Sequence, residues 1–310
     1  MKILITGGAG YIGSILTPRL LTLGHQVTVI DSFLFKQTSL LDCCHNPNLT
    51  VVRSDVRNAD LIKKHLAKAD VIIPLACLVG APVCSQKPAE ARSINLDAIK
   101  LLADLSGKGQ IILSPTTNSG YGIGEEGIFC TEETPLRPVS LYGTLKVELE
   151  EYLMATGRAV SLRLATVCGI SPRMRLDLLV NDFTYRAVTD RFVVLFEAHF
   201  KRNYIHVQDV ASAFIHAIGK FDSMKGQAYN VGLSDANLSK MELCLEIQKQ
   251  VPEFCIMESE IGKDPDQRNY IVSNEKIEKT GFKPQVSIQQ AIGELIKGYQ
   301  IIRRTDFTNL

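Results

Sequence analysis

The fold is decided by the stretch KILITGGAGYIGSILTPRLLTLGHQVTVID, residues 2–31. Its apolar start predicts a strand over residues 2–6, and the glycine-rich turn leads into a helical pattern that runs through Leu23. Gly24 ends that helix, and a second strand follows over residues 27–30. A strand, a glycine turn and a helix in this order are typical of dinucleotide binding, because the turn backbone and the helix N-terminus can approach a pyrophosphate.

The predicted cofactor is NAD. Asp31 ends the second strand, where a carboxylate can bind the ribose hydroxyls and would repel the 2′-phosphate of NADP. The alternative is a tight structural turn with Asp31 as a surface cap. The turn residues assigned to the cofactor are Gly7, Gly10, Tyr11, Ile12 and Gly13.

Strands and helices alternate along the first half of the chain. Further strands are predicted over 50–53, 71–74 and 111–114, and helices over 60–67, 89–105 and 141–154. This alternation predicts an α/β fold with a doubly wound parallel sheet, the Rossmann architecture.

The pattern becomes less regular after about residue 165. It predicts a loop over 171–175, helices over 178–187, 209–218, 239–250 and 288–301, and a strand over 204–207. We therefore expect an NAD-binding Rossmann domain over 1–165, with a return segment near 203–231. Residues 166–310 are expected to form a smaller C-terminal α/β substrate lobe.

Composition excludes several classes of protein. The net charge of +1 gives no field that would recruit nucleic acid or an acidic membrane. No apolar run is long enough to cross a bilayer, and no secretory signal opens the chain, so a cytoplasmic protein is expected. The eight cysteines form no CxxC and the histidines no HExxH. These patterns predict mostly reduced, buried thiols and no metal site.

Tyr142 and Lys146 have the spacing of a catalytic pair. Hydride transfer from a carbinol carbon needs a base for the hydroxyl proton. A free tyrosine has a pKa of about 10, and a lysine one helical turn away lowers that pKa. Both residues lie in the predicted helix 141–154. A solvated Tyr–Lys pair on a helix surface has the same spacing, so the pattern is weak without its context.

With its GxxGxxG turn and YGTLK at 142–146, the chain resembles the extended short-chain dehydrogenases/reductases, the group of NAD-dependent sugar-nucleotide epimerases and dehydratases. The resemblance covers nearly the whole chain. Further matches are Ser54–Val56, Leu75–Cys77, Asn95, Thr134–Pro138 and Arg202–Asp209. The resemblance implies an adenine site at Asp55 and Val56, and a cofactor wall made of Leu75, Ala76, Cys77 and Asn95. It also implies that Lys146 binds the nicotinamide ribose.

The same resemblance places the catalytic hydroxyl on Thr117, counted back from Tyr121. Sugar-nucleotide 4,6-dehydratases carry Asp-Glu at the next two positions, decarboxylating relatives carry a Glu, and 3,5-epimerising reductases carry a Cys at the second. Here those positions are Asn118 and Ser119, and neither can act as a general acid or base near neutral pH. The predicted chemistry is therefore oxidation at carbon 4. The ketone is then re-reduced by a 4-epimerase or released by a 4-dehydrogenase.

A nucleotide-diphosphate substrate needs cationic partners, and arginine suits phosphate. The candidate substrate residues are Arg173, Arg175, Arg202, Arg268, Asn118, Ser119 and Asn181. Any one of these arginines could instead be a solvated surface residue. The resemblance implies phosphate binding for Arg202 and Arg268. Segments 78–82, 118–125 and 163–167 are similar to the branch that oxidises GDP-manno-heptose at carbon 4 during bacterial capsule heptose synthesis.

Two other functions compete with this one. A catalytically silent NAD-binding regulatory relative would share the fold. An RNA-binding relative is disfavoured by the near-neutral charge. The resemblance further implies a homodimer through a four-helix bundle, built from helices 89–105 and 141–154 with apolar outer faces.

Overall fold

The computed structural model describes residues 1–259 and 268–302. The strands are β1 (Lys2–Thr6), β2 (Gln26–Asp31), β3 (Leu49–Arg53), β4 (Val71–Pro74), β5 (Ile111–Thr117), β6 (Phe129–Cys130), β7 (Ala159–Leu164), β8 (Thr166–Cys168), β9 (Phe192–Leu195), β10 (Lys201–His206), β11 (Gln227–Val231), β12 (Asn237–Ser239), β13 (Cys255–Glu258) and β14 (Ile271–Val272).

The α-helices are α1 (Gly13–Thr22), α2 (Ala59–Leu66), α3 (Ala81–Gln86), α4 (Pro88–Arg92), α5 (Ala98–Leu105), α6 (Leu141–Ala155), α7 (Leu179–Thr189), α8 (Val207–Gly219), α9 (Phe221–Met224), α10 (Lys240–Gln248), α11 (Glu275–Glu278) and α12 (Ile288–Gly298). A π-helical segment, Ser93–Asp97, joins α4 to α5. Two 3₁₀ turns lie at Leu41–Cys43 and Asn118–Tyr121.

The main sheet has seven strands in the order β11-β7-β5-β4-β1-β2-β3, and every pair is parallel. The order runs outward from β1 in both directions, which confirms the predicted doubly wound Rossmann fold. The strand order reverses between β1 and β4. Ligands of such sheets bind at this switch point, beyond the carboxyl ends of the strands. The glycine turn after β1 and the loop after β4 both lie there.

Helices cover both faces of this sheet because its strands are apolar on both sides. Ile3 and Ile5 of β1 belong to one hydrophobic cluster with α1 and α8, whereas Leu4 belongs to a second cluster with α2, α5 and α6. Successive side chains of a strand point to opposite faces. The sheet is therefore buried as the central layer, and only its strand ends and loops are available for a site.

Two differences between the predicted elements and the structure concern the main sheet and the helices that cover it. Strands β7 and β11 were not predicted, and they form one edge of the sheet. All six residues of β7 are buried, although apolar and polar residues alternate along its sequence. The single helix predicted over 89–105 is divided by the π-helical segment 93–97. That wider turn carries the fully buried Asn95.

The second half of the chain builds smaller sheets beside the main one. They pair β12-β10-β8, β13 with β9, and β14 with β6. Helix α8 and strand β11 return to the main sheet, where Arg19 of α1 donates to the backbone oxygen of Gln208 at 2.8 Å. The division at residue 165 stays a prediction, and the end of the predicted lobe, 303–310, lies outside the described residues. No helix in the described ranges is long and apolar enough to cross a membrane.

The outer surface of α4, α5 and α6 carries ion pairs. Arg92 and Lys100 pair with Glu148 at 3.3 and 2.9 Å. Among the large apolar residues of these three helices only Leu105 is exposed, at 36%. Leu101, Val147 and Met154 are nevertheless only partly buried, so the predicted apolar faces stay a prediction. The homodimer itself stays a prediction.

Candidate active site

The glycine turn fits the pyrophosphate of a dinucleotide. Gly7 has a φ of +70°, and a Cβ there would lie 2.6 Å from the Ala76 amide nitrogen. A Cβ at Gly13 would lie 2.5 Å from a backbone oxygen of the turn. Within the two described ranges, the amides of Tyr11, Ile12 and Gly13 donate to no acceptor. Free amides at the start of a ten-residue helix form an anion site.

Asp31 lies against this turn and is not a surface cap, since it is buried. Its Oδ2 accepts from the Ala9 amide at 3.0 Å, and its Oδ1 accepts from the Phe33 amide at 2.8 Å. Burial raises the pKa of the Asp31 carboxyl, while these hydrogen bonds and the charge of Arg173 oppose the rise. The Gln37 Nε2 also donates to Oδ1 at 3.3 Å. A carboxylate has about four acceptor positions, so one remains for a ribose hydroxyl.

Two predicted ligand residues link the turn to the loop that follows β8. The Tyr11 hydroxyl donates to the Gly169 oxygen at 2.7 Å. The Asn181 Oδ1 accepts from the Gly169 amide at 3.0 Å, and its Nδ2 donates to the Arg175 oxygen at 2.8 Å and to the Tyr11 hydroxyl at 3.3 Å. Asn181 is fully buried and was predicted to bind substrate. Its hydrogen bonds instead hold the loop that follows β8 onto the cofactor turn.

The loop after β4 forms the opposite wall. The Leu75 amide donates to the Thr6 oxygen at 2.8 Å, and the Ala76 backbone lies against Gly7. Asn95 bonds both backbone groups of Leu78, each at 2.8 Å, and so fixes this loop from below. Burial raises the pKa of the Cys77 thiol, although the charge of the neighbouring Lys146 opposes it.

The predicted adenine residues differ in environment. Val56 is buried in the core cluster of α2 and α5. Asp55 is partly exposed and pairs with Arg57 at 2.6 Å, a hydrogen-bonded contact that lowers the pKa of the Asp55 carboxyl. Its carboxylate is therefore charged and held at the edge of the cleft.

Tyr142 and Lys146 lie on one face of α6, whose first turn is capped by Ser140. Burial raises the pKa of Tyr142, and the charges of Arg175 and Arg268 oppose this rise. Lys146 is 3% exposed and its Nζ donates to the Pro115 oxygen at 3.2 Å. The sequence predicted Lys146 as the cation that tunes Tyr142. In the structure the charges that oppose the rise are instead those of two arginines from the second half of the chain, which helix spacing could not reveal.

Thr117 ends β5 and begins a chain of hydroxyl contacts. Its Oγ1 donates to the Ser119 Oγ at 2.9 Å, and Arg268 Nη1 donates to the same oxygen. Asn118 between them is fully buried, and neither its oxygen nor its nitrogen has a partner in the described part of the chain. A buried carboxamide without partners is a group that a ligand can satisfy. Thr117 and Ser119 therefore meet at one point, beside Arg268.

The four predicted phosphate arginines separate into two pairs. Arg202 lies 5.9 Å from the centre of the Tyr270 ring, on the side where Arg268 reaches Ser119. Arg173 and Arg175 lie instead on the cofactor side. The Arg173 guanidinium is 4.2 Å from the centre of the Phe35 ring, and Arg175 pairs with Asp177 at 2.5 Å.

A buried polar network behind the site was not predicted. Glu150 of α6 accepts from Thr116 at 2.8 Å and from Ser161 at 2.6 Å, and it pairs with Arg163 at 2.6 Å. The network joins the helix of Tyr142 to the strand that ends at Thr117. Its sequence signals were the arginine inside the apolar strand 159–164 and a glutamate one turn beyond Lys146.

Comparison with known proteins finds relatives along nearly the whole chain. The chain is 28% identical to a UDP-glucose 4-epimerase of Mycolicibacterium smegmatis over 97% of its length and 99% of the relative's. It is 25% identical to a dTDP-glucose 4,6-dehydratase of Streptomyces niveus over 97% and 93%. A UDP-glucose 4-epimerase structure from Thermotoga maritima superposes with a TM-score of 0.85, at 22% identity over 97% and 99%.

The sequence model of the NAD-dependent epimerase/dehydratase family matches residues 3–232. This match spans the glycine turn, the wall after β4, the Thr117 loop and the helix of Tyr142. It confirms the predicted family and, with it, dependence on NAD. The chain belongs to the NAD-dependent epimerase/dehydratase family.

Proposed function

We propose that this protein oxidises carbon 4 of a nucleotide-diphosphate sugar with NAD, and that it eliminates no water. The observation that carries the proposal is the meeting of Thr117 and Ser119 with Arg268, at the end of the strand that α6 covers. Asn118 and Ser119 stand where the dehydratases carry their acids, so the site offers hydrogen bonds but no proton for a leaving hydroxyl.

Each residue has a separate role in the proposed step. Tyr142 takes the proton of the carbon-4 hydroxyl, and Thr117 hydrogen-bonds the same oxygen as the carbonyl forms. Lys146 lies buried one helical turn from Tyr142. NAD, held by the glycine turn and Asp31, would supply the acceptor for the hydride of carbon 4. The products are the 4-ketone and NADH, with the hydroxyl proton on Tyr142.

Two fates of the ketone remain as alternatives, and different observations favour them. Reduction from the other face gives a 4-epimerase, which the 4-epimerase relatives support. Release of the ketone gives a 4-dehydrogenase, which the segments similar to the GDP-manno-heptose branch support. The same branch is the basis for proposing a place in capsule polysaccharide synthesis; the chain is also 25% identical to Protein CapI of Staphylococcus aureus over 96% of its length.

The test incubates purified protein with UDP-, GDP- and ADP-sugars and follows both NADH absorbance and product stereochemistry. Inversion at carbon 4 without net NADH identifies an epimerase, and stoichiometric NADH that persists identifies a dehydrogenase. Tyr142→Phe is the matched control, because it keeps the ring and removes the proton acceptor. Turnover at the wild-type rate in this variant would refute the mechanism.

A second candidate function is NAD sensing by a catalytically silent protein. It predicts that the protein binds NAD but converts no sugar nucleotide, and that Tyr142→Phe changes nothing measurable. The proposed homodimer is tested separately by light scattering at micromolar concentration, where a monomeric mass would contradict it.

A further inference from the structure

The loop that follows β8, residues 169–177, lies directly on the glycine turn. The Ser171 Oγ donates to the Tyr11 oxygen at 2.7 Å and lies 2.8 Å from the Ser14 Oγ. The Tyr11 hydroxyl returns a bond to Gly169 at 2.7 Å. We call residues 169–177 the clasp. It comes from the second half of the chain, yet its hydrogen bonds join the N-terminal part of the cofactor-binding helix.

Helix α12 also holds the clasp, on the side away from the glycine turn. Glu294 of α12 accepts from the Ile170 amide at 2.9 Å and lies 3.0 Å from the His206 Nε2. Burial raises the pKa of the Glu294 carboxyl, but the His206 bond and charge outweigh it and the pKa is lowered. The Tyr299 hydroxyl donates to the Asn181 oxygen at 2.8 Å. The clasp is thus fixed between α12 and the turn.

Two arginines of the clasp lie along the cofactor cleft. Arg173 is 4% exposed, stacks on Phe35 in the loop after β2, and acts electrostatically on Asp31. Arg175 acts on Tyr142 at the other end. The anion site of the turn lies between these ends, because the clasp touches the turn at Tyr11. The substrate-side arginines form a different group, on Tyr270 and Ser119.

We propose that the clasp is a cofactor-retaining element in which Arg173 binds the pyrophosphate of the dinucleotide. This replaces the sequence prediction that Arg173 binds the substrate diphosphate. A guanidinium is suited to the task, since it forms paired, charge-assisted hydrogen bonds to phosphate. The turn amides supply the remaining donors. The inference rests on the proposed function only in its use of NAD.

The test measures binding and not turnover. NAD, adenosine, UDP and GDP are titrated by calorimetry into NAD-free protein. Arg173→Met keeps the stem that packs on Phe35 and removes the charge. Losing one charged contact should lower the affinity for NAD by roughly tenfold to a hundredfold. Adenosine, which has no phosphate, should bind as in the wild type, as should UDP and GDP.

The matched control is Arg202→Met, for which the expectation is reversed: UDP or GDP should bind more weakly, and the affinity for NAD should be unchanged. Arg173→Lys should lose less NAD affinity than Arg173→Met, and it carries the test if the methionine variant does not fold. Unchanged NAD affinity in the Arg173 variants overturns the proposal. An equal loss for adenosine overturns it as well, because the contact would then not be to phosphate. A protein that binds NAD as expected but converts no sugar would refute the proposed function and leave the clasp intact.

Discussion

The buried pair of Glu150 and Arg163 leads to a prediction whose size follows from the structure. Their side chains are 6% and 8% exposed, and the closest nitrogen–oxygen distance is 2.6 Å. Glu150→Leu leaves a buried guanidinium without its carboxylate, and Arg163→Met leaves a buried carboxylate without its guanidinium. Breaking a buried pair from either side costs about 3–5 kcal/mol in the free energy of unfolding.

The corresponding change in Tm can be worked out from the chain length. An unfolding entropy of about 2.1 cal/mol/K per residue gives roughly 0.65 kcal/mol/K for the 310 residues. Each single variant should therefore melt about 5–8 °C lower in differential scanning calorimetry. Activity should fall together with Tm, because this network joins the helix of Tyr142 to the strand of Thr117.

The variant that combines Glu150→Leu with Arg163→Met tests whether unpaired charge causes the loss. In it the hydroxyls of Thr116 and Ser161, 2.7 Å apart, can still bond each other, and Tyr121 can still donate to Asn230. An apolar pair of similar volume is often as stable as a buried ion pair. We therefore expect the double variant to regain most of the lost Tm. A loss equal to the sum of the two single losses would refute the reasoning that unpaired charge is the cause.

Three further predictions follow from individual side chains. Arg175→Met removes a charge that opposes the burial-raised pKa of Tyr142, so that pKa should rise further. The acid limb of the pH–rate profile should then move to higher pH, and an unmoved limb would contradict the role assigned to Arg175. Iodoacetamide at about pH 8 should modify the exposed Cys255 and spare Cys84, whose pKa burial raises to about 11, as peptide mass spectrometry can check. Gly7→Ala should lose about 1–3 kcal/mol of stability from its φ of +70° alone, together with NAD binding, and wild-type Tm and affinity would show that the turn tolerates a Cβ.

The fold could be predicted because its signals are local. Strand–helix alternation over the first hundred residues is enough to specify a parallel sheet, and the glycine turn marks its first crossover. Strand β7 was missed although Val160, Leu162 and Leu164 alternate with the polar Ser161 and Arg163, and the structure buries both sets of side chains. The π-helical turn at Asn95 was missed because one inserted residue hardly changes the apolar periodicity of a helix.

The site could be predicted only as far as sequence spacing carries chemistry. Tyr142 and Lys146 share a helix, so their proximity follows from four residues of separation. Arg173 and Arg175 lie more than a hundred and forty positions from the turn they cover, and nothing in their spacing distinguishes a cofactor phosphate from a substrate phosphate. That distinction depends on Ser171, whose hydroxyl meets the backbone of the turn.

The clasp bears on the open question of the ketone's fate. A 4-epimerase must keep NADH in place while the ketone rotates to present its other face, because the same hydride returns to carbon 4. A 4-dehydrogenase must instead exchange NADH or have it reoxidised where it lies. A loop bonded to the turn at Tyr11 and held behind by Glu294 predicts slow cofactor exchange. The rate at which bound NADH is released, measured against the turnover rate, therefore tests whether the clasp retains the cofactor. Release much slower than turnover is compatible with epimerisation or with reoxidation in place, whereas release faster than turnover would exclude the clasp as a retaining element.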